Sequence, residues 1–510
     1  MSKEPSSSRN QTKNDSLFTD DFQHNITLIY EAFSYPINQS LKTHQFSALQ
    51  GTMKGILFFL EGTVEETTVE THVMKPLYEL SGKPEDGKVV DMLANSVLLT
   101  TAIREIVRLQ DAVHDLLNGN CLILLENEKV AISANTASFE KRDVSEPTVE
   151  NVVRGPKEAF IESMAVNQSL LRRQVRDSRL ICENMTVGDV FSNEVSIMYI
   201  KGIADDKLIK EVKQKVEGIQ TDVIQNLSIL EQFIESRTYS LVPSTLMTER
   251  PDRATSFLLG GHIILLMDNS PYALIVPITF WSLFHTAEDQ YLRWANVNFI
   301  RIISILAIFI AIFTPSIYLA VSTFHVEMLP PDLLFAIAAT REIVPIPVLW
   351  EIILLEFTFE ILREAGIRIP SVIGPTIGIV GALILGQAAV QANLVGPIIV
   401  IVVALTGLSS FVIQDLSLNF MIRILRFFFI FIANFMGFFG IFLAVACTIA
   451  YMASLKSFNV PFFSPLAPSF HSQRGVVFRK PVWKQSLLPF FSNSRYKKKV
   501  SNPKVGSRDD

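Results

Sequence analysis

The sequence predicts an α/β soluble N-terminal half, made of two related subdomains, followed by a multi-span α-helical membrane domain. Three observations support this fold class: charges are spread over residues 1–295, long uncharged runs fill residues 296–455, and apolar segments recur in the first half. The mean hydropathy of +0.32 is high for a soluble chain, although the apolar share of 49% is ordinary. The distribution of charge therefore divides the chain in two.

Two pairs of similar segments in the first half indicate an internal duplication. GILFFLEG (55–62) and SIMYIKG (196–202) each end in glycine, which is typical of a buried strand followed by a turn. LLNGNCLILLEN (116–127) is similar to LLGGHIILLMDN (258–269). Order and spacing recur, as a duplicated unit requires. The helical pattern of residues 205–234 favours an α/β class.

The composition divides the chain into six expected parts. The N-terminus is polar and lacks the apolar core of a signal peptide, so we expect a disordered tail there. The expected parts are a disordered tail at 1–22, a first α/β subdomain at 23–145, a helical connector at 146–192, a second α/β subdomain at 193–295, the membrane domain at 296–455 and a basic tail at 456–510.

The basic tail predicts a cytoplasmic location beside anionic lipid headgroups, because lysine and arginine favour that side of a membrane. Its basic residues include Arg474, Arg479, Lys480, Lys484, Arg495, Lys497, Lys498, Lys499, Lys504 and Arg508. A nucleic-acid partner is not expected, since no recognition motif or interleaved aromatic pattern accompanies them.

Five apolar runs are found in the second half. The runs at 302–321 and 427–455 are long enough to cross about 30 Å of hydrocarbon as helices. The run at 398–413 needs its flanks to do so, and the run at 332–340 is too short. Pro315 predicts a kink inside the first run.

The segment 341–366 carries glutamates among apolar residues. On a helical wheel Glu342, Glu356 and Glu360 share one face, Arg363 adjoins it and Glu351 lies opposite. Charges at membrane depth are costly, so one interpretation is a helix that lines a pore or cavity. The other is an amphipathic helix at the membrane surface with its carboxylates in water.

The run at 369–397 is rich in small residues, which allow helices to approach closely in lipid. The glycines expected at helix contacts are Gly374, Gly378, Gly381 and Gly386. The polar residues Gln387, Gln391 and Asn393 either hold helices together or line a path.

The number of crossings stays open at this stage. A cytoplasmic first half and a cytoplasmic tail need an even number. The residues from Asp415 to Arg426 are expected to form a cytoplasmic turn, because they include Arg423 and Arg426. If the acidic stretch after Asp332 is re-entrant or lies at the surface, four crossings remain, and they do not place both the two ends and this turn in the cytoplasm. The alternative is that 342–362 crosses and 427–455 does not cross cleanly.

No motif in the sequence indicates an enzyme, a cofactor or a metal site. GxGxxG, Walker A, HExxH and GxSxG patterns are absent. The three cysteines, Cys121, Cys182 and Cys447, are far apart, which fits neither a zinc site nor a disulfide framework. We therefore expect a protein that is not an enzyme and binds no metal or cofactor.

Three segments closely resemble one known family. They are VVRGPKEAF (152–160), ERPDRATSFLLGGHIILLMDNSPYALIVP (249–277) and PSVIGPTIGIVGALILGQAAVQANLVGP (370–397). In their order and spacing they resemble the A subunits of GerA-type spore germinant receptors. Within the first two segments, the family motif of the soluble half falls on Arg154, Gly155, Pro156, Arg250, Pro251, Asp252 and Arg253.

This resemblance implies a multi-pass protein of the spore inner membrane, with its large N-terminal domain in the cytoplasm. It implies a complex with a transporter-like B subunit, which is thought to bind the nutrient, and a lipoprotein C subunit. It also implies a homo-oligomer with an ion-conducting path, for which the glutamates of 341–366 suit cations. The alternatives are a non-conducting scaffold and, less well supported, a secondary transporter.

Overall fold

The computed structural model describes a long N-terminal α/β half and a bundle of apolar helices. The residues described are 16–48, 53–79, 102–137, 146–368, 384–469, 477–481, 489, 491 and 492.

The first unit is a five-stranded antiparallel sheet with helices on its faces. Its strand order is β1-β2-β4-β5-β3. The strands are β1 (Leu41–Ala48), β2 (Met53–Leu60), β3 (Ile103–Ile106), β4 (Cys121–Leu125) and β5 (Ala131–Ala134). The helices are α1 (Phe22–Phe33), α2 (Glu66–Thr68, Val69–Met74 and Lys75–Glu79, the middle part π-helical) and α3 (Leu109–Leu117).

The second unit repeats this sheet with the order β6-β7-β9-β10-β8. The strands are β6 (Leu180–Val187), β7 (Asn193–Ile200), β8 (Leu246–Thr248), β9 (Ile263–Met267) and β10 (Ala273–Val276). The helices are α4 (Met164–Gln174), α5 (Asp206–Glu217), α6 (Leu227–Ile234) and α7 (Pro251–Leu259).

The two sheets also share their strand registers. Leu41 pairs with Leu60 in the first unit, as Leu180 pairs with Ile200 in the second. Likewise, Cys121 pairs with Ala134 and Ile263 with Val276. Because register decides which face each side chain occupies, the same pattern of inward residues serves both units. The internal repeat read from the sequence therefore extends to topology and register.

Positive backbone φ angles recur at equivalent turns. Gly119 and Gly261 have φ values of 88° and 90°, and they lie between α3 and β4 and between α7 and β9. Asn127 and Asn269 have φ values of 64° and 59°. Such angles favour glycine and, less strongly, asparagine, which explains why these residue types recur at both places.

The helical half begins at Trp294. Its helices are α8 (Trp294–Thr323), α9 (Pro331–Glu342), α10 (Val348–Arg368), α11 (Pro397–Phe411) and α12 (Leu416–Ser454), and residues 384–391 are also helical. By length and composition, α8 and α12 are the two described helices able to cross a membrane, and α11 is apolar but shorter.

Helix α12 folds back on itself at Gly437, where φ is 56° and ψ is −139°. A Cβ placed on Gly440 would lie 2.9 Å from the carbonyl oxygen of Ile432, eight residues earlier. Those residues would be about 12 Å apart in a straight helix. A Cβ on Gly437 would lie 3.1 Å from His325, just beyond the end of α8. The two arms of α12 therefore form an antiparallel pair whose tip touches the far end of α8.

Both ends of the helical half lie against the second unit. Helix α8 starts directly after it, and Arg237 donates to Ser454 at the end of α12 over 3.1 Å. The segment after α12 forms a hairpin of β11 (Lys456–Ser457) and β12 (Val460–Pro461). Phe458 of this hairpin is buried in the apolar core beneath the second sheet.

Helices α10 and α11 run in the same direction. Glu351 near the start of α10 accepts a hydrogen bond from the N–H of Gly396, next to the start of α11, over 2.8 Å. Arg363 near the other end of α10 contacts Ser410 near the end of α11.

Several expected boundaries differ from the structure. Residues expected to be a disordered tail include Phe18, which is buried and donates its N–H to the carbonyl of Val107. The expected helical connector at 146–192 contains α4 but also β6, an edge strand of the second sheet, so that unit begins before residue 193. The start of the expected basic tail, at 456–463, packs on the second unit instead.

The helical half also corrects two local expectations. Residues 415–426 are not a turn, because Leu416 onward is already helical and Asp415 accepts from the N–H of Leu418 as the N-cap. The prediction that Glu342 shares one helical face with Glu356 and Glu360 is wrong as well, since residues 343–347 interrupt the helix between them. Gly374, Gly378 and Gly381 lie outside the described residues.

Candidate functional site: two charged clusters

A buried charged cluster joins the second unit to the helical half. We call it the junction cluster. Its members are Glu150, Arg250, Asp252, Arg253, Tyr291 and Asp415.

The turn between β8 and α7 supplies the arginines of the junction cluster. Pro251 starts α7 with its fixed φ, and Arg250 occupies the N-cap position. Arg250 forms a two-pronged pair with Asp252, with nitrogen–oxygen distances of 3.1 and 2.8 Å, and donates to the carbonyl of Pro156 over 2.8 Å. Because Arg250 is only 1% exposed, these bonds replace its hydration.

Arg253, one turn later, lies between two carboxylates from distant parts of the chain. It contacts Glu150 at 2.9 Å and Asp415 at 3.6 Å, and its Nε donates to the carbonyl of His285 over 3.0 Å. Arg253 is 5% exposed and Asp415 is 7% exposed. Since Asp415 caps the first arm of α12, this guanidinium ties the soluble sheet directly to a helix of the bundle.

The segment before α4 is held by Glu249. This carboxylate accepts hydrogen bonds from the N–H groups of Val149 at 2.7 Å and Glu150 at 2.5 Å. The side chain of Glu150 in turn accepts from the hydroxyl of Thr248 over 2.7 Å. Burial raises the pKa of the Glu150 carboxyl, although Arg253 and Thr248 oppose the shift.

Tyr291 closes the junction cluster near the start of α8. Its hydroxyl donates to Asp252 over 3.0 Å. Burial and the neighbouring charge of Asp252 raise the pKa of Tyr291 to about 12. Gly155 has a φ of 142°, and a Cβ there would lie 3.0 Å from the Tyr291 ring. Glycine at position 155 thus permits the close approach of the two segments.

The family-motif residues are mostly brought together here. Arg250, Pro251, Asp252, Arg253, Gly155 and Pro156 meet at the junction cluster, whereas Arg154 is exposed. No pattern in the sequence had indicated that Glu150, Tyr291 and Asp415 belong to this cluster. The position of Asp415 directly before an apolar run was a signal for a helix cap.

A second charged cluster lies between α10 and the first arm of α12. We call it the helix cluster. It consists of Glu356, Glu360, Arg363, Arg423 and Arg426.

Arg426 is the centre of the helix cluster. It contacts Glu356 at 3.2 Å and Glu360 at 2.6 Å, and Glu360 also pairs with Arg423. Glu356 is fully buried and Arg426 is 1% exposed. Within one chain, therefore, these two predicted pore glutamates face arginines of a neighbouring helix, as buried charges generally require.

The other predicted pore residues are dispersed. Glu342 is exposed on α9, and Glu351 is buried against Gly396. The polar residues Gln387, Gln391 and Asn393 are exposed on the outside of this single chain. Gly386 is half-buried, and a Cβ added at this glycine would lie 3.7 Å from the side chain of Val400.

No group of three or more acidic, histidine or cysteine side chains suited to a metal ion occurs in the described part of the chain. The charged clusters instead consist of arginine–carboxylate pairs. Most of these pairs join segments of the chain that are distant in sequence or lie on different helices.

Comparison with known proteins gives a consistent result. Residues 27–490 match the family model described as Bacillus/Clostridium GerA spore germination protein. Spore germination protein KA of Bacillus subtilis (strain 168) is 38% identical over 435 residues, which cover 85% of this chain and 80% of that protein. Spore germination protein A1 of the same organism is 37% identical over 428 residues, covering 84% and 87% respectively.

Two further proteins are similar to this chain. The uncharacterized membrane protein YfkQ of Bacillus subtilis (strain 168) is 33% identical over 467 residues, which cover 91% of this chain and 89% of that protein. The crystal structure of the N-terminal domain of the A subunit of the Bacillus megaterium spore germinant receptor GerK3 aligns with a TM-score of 0.39 and 24% identity. That alignment covers 52% of this chain and 98% of that one.

Proposed function

The chain belongs to the Bacillus/Clostridium GerA family of spore germination proteins, and we propose that it is the membrane subunit of a nutrient germinant receptor that triggers germination. In this proposal the helical half assembles into an oligomeric cation-conducting channel. Nutrient binding to a partner subunit gates it.

The observation that best supports a gated function is the pair between Arg253 and Asp415. A sensor that receives a signal in its soluble half needs a rigid link to the helices that respond. The guanidinium supplies that link because it is buried, carries two carboxylate partners and reaches the cap of α12. A nutrient can then shift the gate only through a difference in its affinity for the closed and open states.

The partners follow from the family. Since relatives of this chain are named as spore germination proteins KA and A1, we propose a transporter-like B subunit, a lipoprotein C subunit and further copies of the chain itself. The location proposed is the spore inner membrane, with the large N-terminal half in the cytoplasm.

We propose that the chain crosses the membrane an even number of times. Helix α8 leads away from the second unit, the first arm of α12 does the same, and its second arm returns to Ser454 beside Arg237. Helices α10 and α11 both run back toward the second unit, since Arg363 and Ser410 near their ends lie close to Arg423 and the start of α12. With both ends of the helical half on one side, the number of crossings must be even.

The exposed polar residues support oligomer formation. Gln387 and Gln391 are one helical turn apart and therefore share a face. Exposed amides are unfavourable in lipid, so we propose that this face, with Asn393, lies against a neighbouring subunit or a water-filled path.

A scaffold without conduction is the second candidate. It is favoured by the pairing of Glu356 and Glu360 with arginines inside one chain, which removes free carboxylates from a path. In this case the helix cluster would serve only to hold α10 against α12.

Recording from the purified oligomer in planar bilayers separates the two candidates. Cation-selective currents are expected from the channel, whereas consistent silence from correctly assembled oligomer would support the scaffold. The same preparation should be made with Glu356→Gln and Glu360→Gln together, and with Glu364→Gln as the matched control on the exposed side of α10.

A charge exchange tests the pore role of these glutamates directly. Glu360→Arg combined with Arg423→Glu keeps the ion pair between positions 360 and 423 and moves its carboxylate from α10 to α12, while position 360 loses its pairs with Arg363 and Arg426. If the carboxylates of α10 contribute to a cation path, selectivity falls in the exchanged protein although its assembly is normal. Unchanged selectivity and nutrient-triggered cation release would exclude a pore role for Glu360.

A further inference from the structure

A rigid loop of the second unit lies at the end of α12. It connects α6 to β8 and spans residues 236–243. Arg237 donates to Ser454 over 3.1 Å, and the hydroxyl of Tyr451 donates to Ser240 over 3.0 Å. The N–H of Ser240 closes a turn onto the carbonyl of Arg237 over 3.0 Å. The loop is thus fixed to the helix at two points.

This loop presents apolar side chains that the protein does not cover. Tyr239, at the tip of the turn, is fully exposed, and Leu241 is 50% exposed. Val242 of the same loop is buried, so its packing fixes the orientation of Tyr239 and Leu241. The exposed surface continues onto α12, where Tyr451 is 41% exposed and Ile449 is 53% exposed.

The position of the loop along α12 coincides with the end of the apolar stretch. No charged residue occurs between Arg426 and Lys456, and Lys456 follows α12 directly. Such a change from apolar to basic residues is typical of the boundary between hydrocarbon and headgroups. A small crevice at this level is lined by Arg237, Ser240 and Lys456.

We propose that loop 236–243 is an anchor that inserts Tyr239 and Leu241 into the headgroup region of the membrane, while Arg237 and Lys456 bind the phosphates of anionic phospholipids. Tyrosine suits this place because its ring is apolar and its hydroxyl can stay hydrated. Two basic residues near the surface add attraction to anionic lipids. The anchor would fix the height of the second unit, and so of the junction cluster, above the bilayer. The anchor rests on the proposed function, in which α12 crosses the membrane.

Site-specific fluorescence on the full-length chain in lipid nanodiscs tests the anchor. Cys121 and Cys182 are buried, so a Cys447→Ser background leaves a single introduced cysteine for a polarity-sensitive nitrobenzoxadiazole probe. The probe is placed by Tyr239→Cys, and quenching by lipids with a nitroxide near the headgroup is recorded. Phe191→Cys, in the exposed turn between β6 and β7, is the matched control. Phe442→Cys, exposed on α12, reports the crossing itself, and for this variant the nitroxide is placed near the middle of the lipid acyl chain.

The anchor predicts that the nitroxide lipids quench the probe at position 239 and that its emission is blue-shifted relative to the probe at position 191. The nitroxide lipids leave the emission of the probe at position 191 unchanged. Arg237→Gln with Lys456→Gln should reduce the effect at 239 in discs containing phosphatidylglycerol, but not in discs of phosphatidylcholine alone. Quenching at 442 without quenching at 239 overturns the anchor and leaves the crossing intact. Equal quenching at 239 and 191 also overturns it, because the whole unit would then lie on the bilayer. An absence of quenching at 442 contradicts the crossing.

Discussion

The two sheet units share one topology but differ in the surroundings of the turn before α3 in the first unit and before α7 in the second. In the first unit this turn holds Arg108 at the N-cap of α3, and the side chain is exposed. In the second unit the equivalent Arg250 caps α7 and is almost fully buried. The fold therefore does not require burial or charge pairing at this position. Arg253, one turn further along α7, contacts Asp415 of the helical half.

Residues next to these caps differ in the same way. Asp111 occupies the place in α3 that Arg253 occupies in α7, and Asp111 is exposed. Duplication thus supplied the same scaffold twice, and one copy acquired the residues that connect it to a helix bundle. Substitutions at matched positions of the two units should reveal this division of roles.

The largest expected effect comes from Arg253→Ala. It leaves Glu150 and Asp415 buried without their counter-charge, which costs about 3–5 kcal/mol when one partner of a buried pair is removed. The matched change Asp111→Ala, at the exposed counterpart, should stay within about 0.5 kcal/mol. Thermal unfolding of both variants in detergent measures the difference. Equal losses would mean that the two turns are equivalent after all.

Glycines that serve the fold itself should behave alike in both units. Gly119→Ala and Gly261→Ala each place a side chain at positive φ, which costs about 1–2 kcal/mol. An added Cβ would also meet a backbone carbonyl oxygen, 2.4 Å away at Thr63 in the turn after β2 and 3.1 Å away at Ile203 in the turn after β7.

We therefore expect thermal unfolding in detergent to show a loss of stability for both variants, and a larger loss for Gly119→Ala than for Gly261→Ala. The control is Gly366→Ala, in a helix where a Cβ has nothing within 4 Å. If only the second-unit variant were destabilised, the shared role of the two glycines would be wrong.

A smaller effect is expected from Tyr291→Phe. Loss of the hydrogen bond to Asp252 should cost roughly 1 kcal/mol, because the tyrosine is partly exposed. The raised pKa of about 12 means that the folded state keeps this phenol neutral after the unfolded chain has ionised near its usual value of about 10.

The contribution of Tyr291 to stability is therefore fully present below pH 10 and is lost as the pH rises toward 12. Tyr291→Phe should lose less stability across that range than the parent protein. Denaturant unfolding at several alkaline pH values compares the two proteins, in which all other tyrosines are the same. If the free energies of unfolding of the two proteins fell in parallel as the pH rises, the pKa of Tyr291 would not differ between the folded and the unfolded state.

Sequence patterns predicted what local periodicity and spacing encode. The repeated strands and the helices of the apolar runs were predicted because each has a local signature, whereas the motif of residues 250–253 was recognised only by its resemblance to the family. The partners of that motif were not, because Glu150 and Asp415 lie about a hundred residues or more from Arg253 along the chain and meet it only in the fold.

The helical half illustrates the same limit. Charge rules assigned Arg423 and Arg426 to a surface turn, since two arginines near an apolar run are typical of a cytoplasmic loop. The structure instead pairs them with Glu360 of α10. The reversal of α12 depends on the backbone of Gly437, and a glycine in a Phe-rich run carries no pattern that would predict it.

A double-mutant cycle between Arg253 and Asp415 tests most directly whether the second unit is coupled to the helix bundle. Unfolding free energies are measured for Arg253→Ala, Asp415→Asn and the double variant, with Asp111→Ala and Asp415→Asn as the control pair. We expect a coupling energy of about 1 kcal/mol or more for the first pair and additivity within about 0.5 kcal/mol for the control. Additive effects at Arg253 and Asp415 would contradict the coupling of the second unit to the helix bundle.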